Sequence, residues 1–149
     1  MTRNANRQGY RYEELELGMQ AAFEKTVTQA EVVQFGDISG DLNPAHFDEE
    51  FARGTRLGER VVHGMLTASL VSAVLGTRLP GPGCLFVSQT THFKAPVRVG
   101  DTVSVQATIV RLDDQRQFAE FETRCSVDET TVLEGSALVW VPSEKEDSS

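Results

Sequence analysis

Cysteine, positive charge and long apolar runs are all scarce in this 149-residue chain. Its two cysteines, Cys84 and Cys125, make no disulfide scaffold, and no Cys-x-x-Cys spacing suggests zinc. No apolar run approaches the ~18 residues of a membrane span. The opening MTRNANRQGYRYEE lacks the apolar stretch of a signal peptide, so a reducing cytoplasm and no membrane partner are expected. Lys and Arg number 14 against 22 Asp and Glu, a net charge of −8. A chain of that sign repels phosphates, which excludes a nucleic-acid grip based on overall charge. Any anionic ligand needs a local basic site.

What is present is ordinary globular material, 40% hydrophobic and 24% charged. It suffices for one domain with its own core. There is no repeat and no linker. One domain over 1–149 is expected, with an ordered core at about 9–142, a polar start (1–8) and a solvated tail (SEKEDSS) after Pro142. Gln20 to Thr26 reads as a strand. Thr28-Gln-Ala-Glu31 has capping-box spacing and opens a helix whose apolar side is Val32, Val33, Phe35 and Ile38, with Gly40 at its end. Asp41 to Val62 is a long irregular stretch with one helical turn after Asp48, and such loops are usually functional. Gly64 to Gly76 (GMLTASLVSAVLG) carries no charge, so this helix is expected to be buried all round. Cys84–Phe93, Thr102–Val110, Phe118–Val127 and Val132–Val141 read as strands, the second with clean alternation of Val103, Val105, Ala107 and Ile109. Short connections at Gly100-Asp101, Asp113-Asp114 and Asp128-Glu129 imply an antiparallel meander. The fold class is α+β, a curved antiparallel sheet wrapping one helix.

Two constellations carry chemistry. Ser39-Gly-Asp41-Leu-Asn43-Pro-Ala-His46 puts a carboxylate, an amide and an imidazole in eight residues. A carboxylate and an imidazole sharing one water form a general acid/base pair; the plainer alternative is an Asx-turn made by Asp41 beside a surface histidine. Val61-Val-His63-Gly64-Met65 precedes the apolar helix. Free N–H groups at a helix start, with a glycine that lets a carbonyl approach, suit an oxyanion hole; the alternative is a plain helix start, with His63 structural. Ser72 either bonds back to its own helix or points at the Asp41/His46 site. No nucleophile elbow surrounds Ser69 or Ser72, which argues against a serine hydrolase. His92 is read as strand packing. Positive charge is local: Arg53, Arg56 and Arg60 on the loop, Arg78 after the helix, and Lys94 and Arg98 around Ala95-Pro96-Val97.

The order FGDISGDLNPAHFDEEFA, VVHGMLTASLVSAVLG, THFKAPVRVGDTV resembles the MaoC-like (R)-specific enoyl-CoA hydratases, over about Leu17 to Val141. The resemblance implies the hot-dog fold, usually as a homodimer joined sheet edge to sheet edge. It implies hydration of a trans-2-enoyl-CoA to the (R)-3-hydroxyacyl-CoA, run reversibly. Asp41 and His46 then hold and activate the water, the Gly64 N–H polarises the thioester carbonyl, Ser72 supports the pair and Asn43 orients the loop. Arg53, Arg56, Met65 and Lys94 are the substrate-binding candidates. Coenzyme A arrives as part of the substrate; no metal or other cofactor is expected. Pocket depth is assigned to Leu66, Leu70 and Val74. Two other functions compete: a hot-dog acyl-CoA thioesterase, since the fold alone does not choose, and a non-catalytic acyl-CoA binding subunit.

Overall fold

Alternation in the sequence becomes alternation in burial. On strand β3 (Thr102–Asp113), Val103, Val105, Ala107 and Ile109 are sealed, while Gln106 and Val110 face outward. Strand β4 (Phe118–Val127) repeats the pattern with Ala119, Phe121, Thr123 and Cys125. The structure, a computed structural model, describes residues 9–145. In chain order it has β1 (Gln20–Thr26), α1 (Gln29–Ser39), α2 (Glu49–Arg53), α3 (Gly64–Thr77), β2 (Leu85–Phe93), β3, β4 and β5 (Thr130–Trp140), with single 3-10 turns at Tyr12–Glu14 and Pro44–His46.

The five strands form one antiparallel sheet in the order β1-β3-β4-β5-β2. β3, β4 and β5 are the expected meander. The β4–β5 hairpin turns at Asp128 (φ 51°) and Glu129 (φ 95°), both left-handed, as a two-residue turn matching strand twist requires. Register shifts at Ile109/Arg111, Cys125/Ser126 and Phe86/Ser88 mark irregularities of the kind that bends strands. α3 lies in the resulting concavity. Its Leu66, Leu70, Val71, Val74 and Leu75 share one core with Val103, Val105, Phe121, Leu133 and Val139 of the sheet. A curved antiparallel sheet around a central helix is the hot-dog arrangement.

The cap of α1 forms as its spacing dictates. Thr28 Oγ1 accepts the Glu31 N–H, Glu31 Oε1 accepts the Thr28 N–H, and Gly40 (φ 80°) ends the helix.

Several expectations are corrected. On α1 only Val32 and Gly36 are buried and Phe35 half-buried; Val33 and Ile38 (86% exposed) lie off the packed stripe. α3 is not enclosed all round: Gly64, Met65, Ser69 and Ser72 are exposed, because one sheet covers only one side of a helix. β3 runs to Asp113 and β5 starts at Thr130. His92 is exposed on β2, opposite Glu134, and packs in no core. The start of the tail is docked: Ser143 is buried and donates to Glu13 Oε2, whose partner oxygen accepts the Glu144 N–H. The polar start at 1–8 and residues 146–149 lie outside the described residues.

Candidate active site

The loop between α1 and α3 is built from side chains that bond main chain. Ser39 Oγ accepts the Asp41 N–H, Asp41 Oδ1 accepts the Asn43 N–H, and Asn43 Oδ1 accepts the Ala45 N–H. Asn43 thereby caps the Pro44–His46 turn, with Pro44 at its first position. Asp48 Oδ1 then accepts the Phe51 N–H and starts α2. Asp41 therefore makes the Asx-turn and also sits in the polar cluster, so the two alternatives for it coexist.

His46 is half-buried, with Nδ1 2.7 Å from the Val61 carbonyl oxygen. A carbonyl only accepts, so this bond assigns the hydrogen to Nδ1 and leaves Nε2 of the neutral ring as a lone pair. A lone pair in that position is a proton acceptor. Asp41, beside it, is exposed. A carboxylate oxygen of Asp41 and ring nitrogens of His46 and His63 all lie within 4.8 Å of one another. These are ligand types for a divalent ion. The two imidazoles lie close and tilted (centroids 3.9 Å, planes 33° apart). A carboxylate and an imidazole this close can also share one water between them.

His63 caps α3, so Gly64 begins the helix next to this cluster. The first-turn N–H groups have no partner inside the helix and lie at the positive end of its dipole. A Cβ on Gly64 would stand 2.9 Å from the Phe93 ring, so a side chain there would push that ring or the helix start aside. Beside Gly64 lies a cleft of about 680 Å³, walled by Ala45, Val61, Thr67, Phe93, Val97 and Val132, with Arg56 and Lys94 on its border.

The other candidates are placed as follows. Met65 is exposed on the first turn of α3. Arg53 and Arg56 are exposed and have no acidic partner among the described residues, whereas Lys94 pairs with Glu134 at 3.4 Å. Arg60 and Arg98 are tied to Glu49 and Glu59 respectively. Ser72 lies on the open side of α3, eight residues or ~12 Å beyond Gly64, and is exposed. Leu66, Leu70 and Val74 are core residues and do not line the cleft. Thr67 does, and its buried hydroxyl has no partner among the described residues. Sequence spacing did not single out Thr67, and it left His63 as a structural residue; a polar residue in an otherwise apolar helix was the available signal. Burial pushes the Cys125 thiol up to about 12 and raises the Cys84 thiol, so neither is an activated nucleophile.

Comparison with known proteins agrees with this fold. A family model described as MaoC like domain matches residues 14–131. The chain is 47% identical over 135 residues to a 3-hydroxybutyryl-CoA dehydratase of Methylorubrum extorquens, covering 91% of this chain and 86% of that protein. It is 45% identical over 131 residues to an (R)-specific enoyl-CoA hydratase of Rhodospirillum rubrum, covering 88% and 91%. Among solved structures it superposes on the (R)-hydratase from Aeromonas caviae involved in PHA biosynthesis. The TM-score there is 0.83 and the identity 38%, covering 87% of this chain and 99% of that one. An R-hydratase from Pseudomonas aeruginosa gives a TM-score of 0.85 at 34% identity, covering 92% and 88%.

Proposed function

Because the chain belongs to the MaoC-like family, among its (R)-specific enoyl-CoA hydratases, we propose that it adds water across the double bond of a trans-2-enoyl-CoA. The enzyme is a hydro-lyase, and the reverse reaction dehydrates the (R)-3-hydroxyacyl-CoA. The observation that carries the assignment of the site is the convergence of Asp41 and His46 at the N-terminus of α3.

One water sits between the Asp41 carboxylate and His46 Nε2, both of which accept its hydrogens. As its oxygen bonds C3, the proton passes to the pair. The C2–C3 π electrons move toward the thioester oxygen, where the Gly64 N–H and the α3 dipole stabilise the developing charge. The pair then delivers a proton to C2 and the carbonyl re-forms, a net addition of one H2O. The chemistry involves no oxidation or reduction and no cofactor beyond the coenzyme A of the substrate. Asn43 holds the turn through its bond to Ala45 N–H, and Ser72 is assigned to support of the pair. The unpaired Arg53 and Arg56, with Lys94 and Met65, are assigned to the substrate. The name of one relative, a 3-hydroxybutyryl-CoA dehydratase, points to short acyl chains.

The working unit is assigned as a homodimer. Edge strand β2 exposes Leu85, Phe86, Val87 and Phe93, and α3 leaves Met65, Ser69 and Ser72 open on the same molecule. A long, exposed edge strand is a ready site for pairing. Sedimentation of the purified chain as a monomer would reject this. The two free thiols support work in a reducing cytoplasm. No helix of the described residues is long and apolar enough to cross a membrane.

Crotonyl-CoA distinguishes the functions. Loss of enoyl absorbance, with (R)-3-hydroxybutyryl-CoA as product, is expected. Thiol release with the conjugated double bond intact identifies a thioesterase, and binding without turnover a non-catalytic subunit.

A further inference from the structure

His63 is the least explained polar residue of the site. It is 1% exposed, it occupies the N-cap of α3, and it makes no side-chain bond to its own helix. Residues chosen for capping are Ser, Thr, Asp and Asn. Its ring turns the other way, and Nε2 lies 2.9 Å from the carbonyl oxygen of Asp41, 22 residues earlier. The carbonyl accepts, so Nε2 carries the hydrogen and Nδ1 keeps a lone pair. That Nδ1 is buried and has no hydrogen-bond partner among the described residues. Leaving such a group unpaired is costly to the fold. The slot is otherwise aromatic, with Phe35 at 4.9 Å and Phe47 at 5.5 Å between ring centroids. A phenylalanine would fill it without the unpaired nitrogen. Packing alone therefore does not account for an imidazole here. Its ring face also lies 3.9 Å from His46.

We propose that His63 is a positioning residue for hydration: its Nε2–H holds the main chain of Asp41 and its ring face fixes the imidazole of His46. This rests on Asp41 and His46 being the catalytic pair. Since Gly64 follows it directly, one side chain locks base, carboxylate and helix-start donor into a single geometry. Errors of an ångström in such a geometry are enough to lower a rate greatly.

Two variants divide the functions of the ring. His63→Phe keeps an aromatic face and deletes the donor; His63→Gln keeps a donor near the Nε2 position and deletes the ring. For each, circular dichroism checks folding, and kcat and KM are measured with crotonyl-CoA in the native and Asp41→Asn backgrounds. Folded His63→Phe is expected to lose at least tenfold in kcat with KM within twofold. His63→Gln should recover at least threefold of that loss. In the Asp41→Asn background, His63→Phe should cost less than threefold, because the group it positions is already gone. A folded His63→Phe with kcat within twofold of the native enzyme overturns the proposal, as does an undiminished loss in the Asp41→Asn background. Nitrogen-15 NMR of the unmodified protein decides the matter even when the variants do not fold. His63 is expected as the Nε2–H tautomer, and the Nδ1–H tautomer overturns the tether. Near-normal activity of Asp41→Asn itself rejects the catalytic pair, a result separate from any His63 outcome.

Discussion

The Asp41–Val62 loop and the β3–β5 meander satisfy their polar groups in opposite ways. In the meander, main chain pairs with main chain along whole strands, and the buried side chains are passive; Thr123 keeps an unpartnered hydroxyl and Cys125 a thiol held neutral by burial. In the loop, main chain is held by side chains: those of Ser39, Asp41, Asn43 and Asp48 accept N–H groups, while His46 and His63 donate to carbonyls. A substitution in the meander is therefore a cost to the whole molecule. A substitution in the loop displaces one reacting group and leaves the rest folded.

The largest expected effect tests the loop side of this contrast. Asp41→Asn and His46→Ala should each lower crotonyl-CoA hydration by roughly 10²–10⁴-fold. Thermal unfolding should stay close to that of the native protein, because asparagine retains the oxygen that accepts the Asn43 N–H. Activity near normal, or collapse of the fold, would erase the distinction.

Phe121→Ala tests the meander side. Phe121 is fully buried in the core under α3. Its truncation should cost about 3–5 kcal/mol in urea unfolding, while the molecules that remain folded keep a near-native KM. A change confined to kcat would show that the meander shapes the site after all.

Gly64→Ala sits on the border between the two regions. The new methyl meets the Phe93 ring at 2.9 Å, so the helix start or the ring must shift. Misaligning the main-chain donor should lower kcat by about tenfold or more, with a smaller change in unfolding midpoint than Phe121→Ala gives.

The smallest effect lies away from both. Thr28→Ala removes the α1 cap and should cost about 1 kcal/mol without changing kcat. Glu31, the other half of that box, has its pKa lowered first by the Lys25 ammonium and then by the Thr28 N–H. A depressed carboxylate pKa stabilises the fold above the ordinary glutamate value and ceases to do so as pH falls through the folded one. The stability gap between the native protein and Glu31→Gln, measured by chemical unfolding, should thus be full at pH 7 and narrow steadily below about pH 4.3.

Legibility in the sequence followed the range of the forces. The alternation of Val103, Val105, Ala107 and Ile109, the Thr28/Glu31 box and the Asp128-Glu129 turn were visible because each depends on neighbours a few residues apart. The Asp41–His46 spacing was visible for the same reason. Val33 and Ile38 were misplaced because an apolar residue on a short helix does not reveal which stripe meets the core. His63 was undervalued because its partners, Asp41 and His46, lie 22 and 17 positions away, and a histidine beside a helix start has many uses.

By itself the sequence determined the local pieces: where strands alternate, where helices are capped, and which two short motifs offer a carboxylate, an imidazole and a helix start. These are set by backbone sterics and side-chain periodicity, which act within a turn or a strand. Only the tertiary structure decided that the two motifs meet, with His46 stacked on His63 and Val61 fixing its tautomer. Only it showed that α3, though uncharged throughout, keeps one face uncovered, because a single sheet wraps a single side. Both depend on contacts between distant segments, and those exist only once the sheet has curved around the helix.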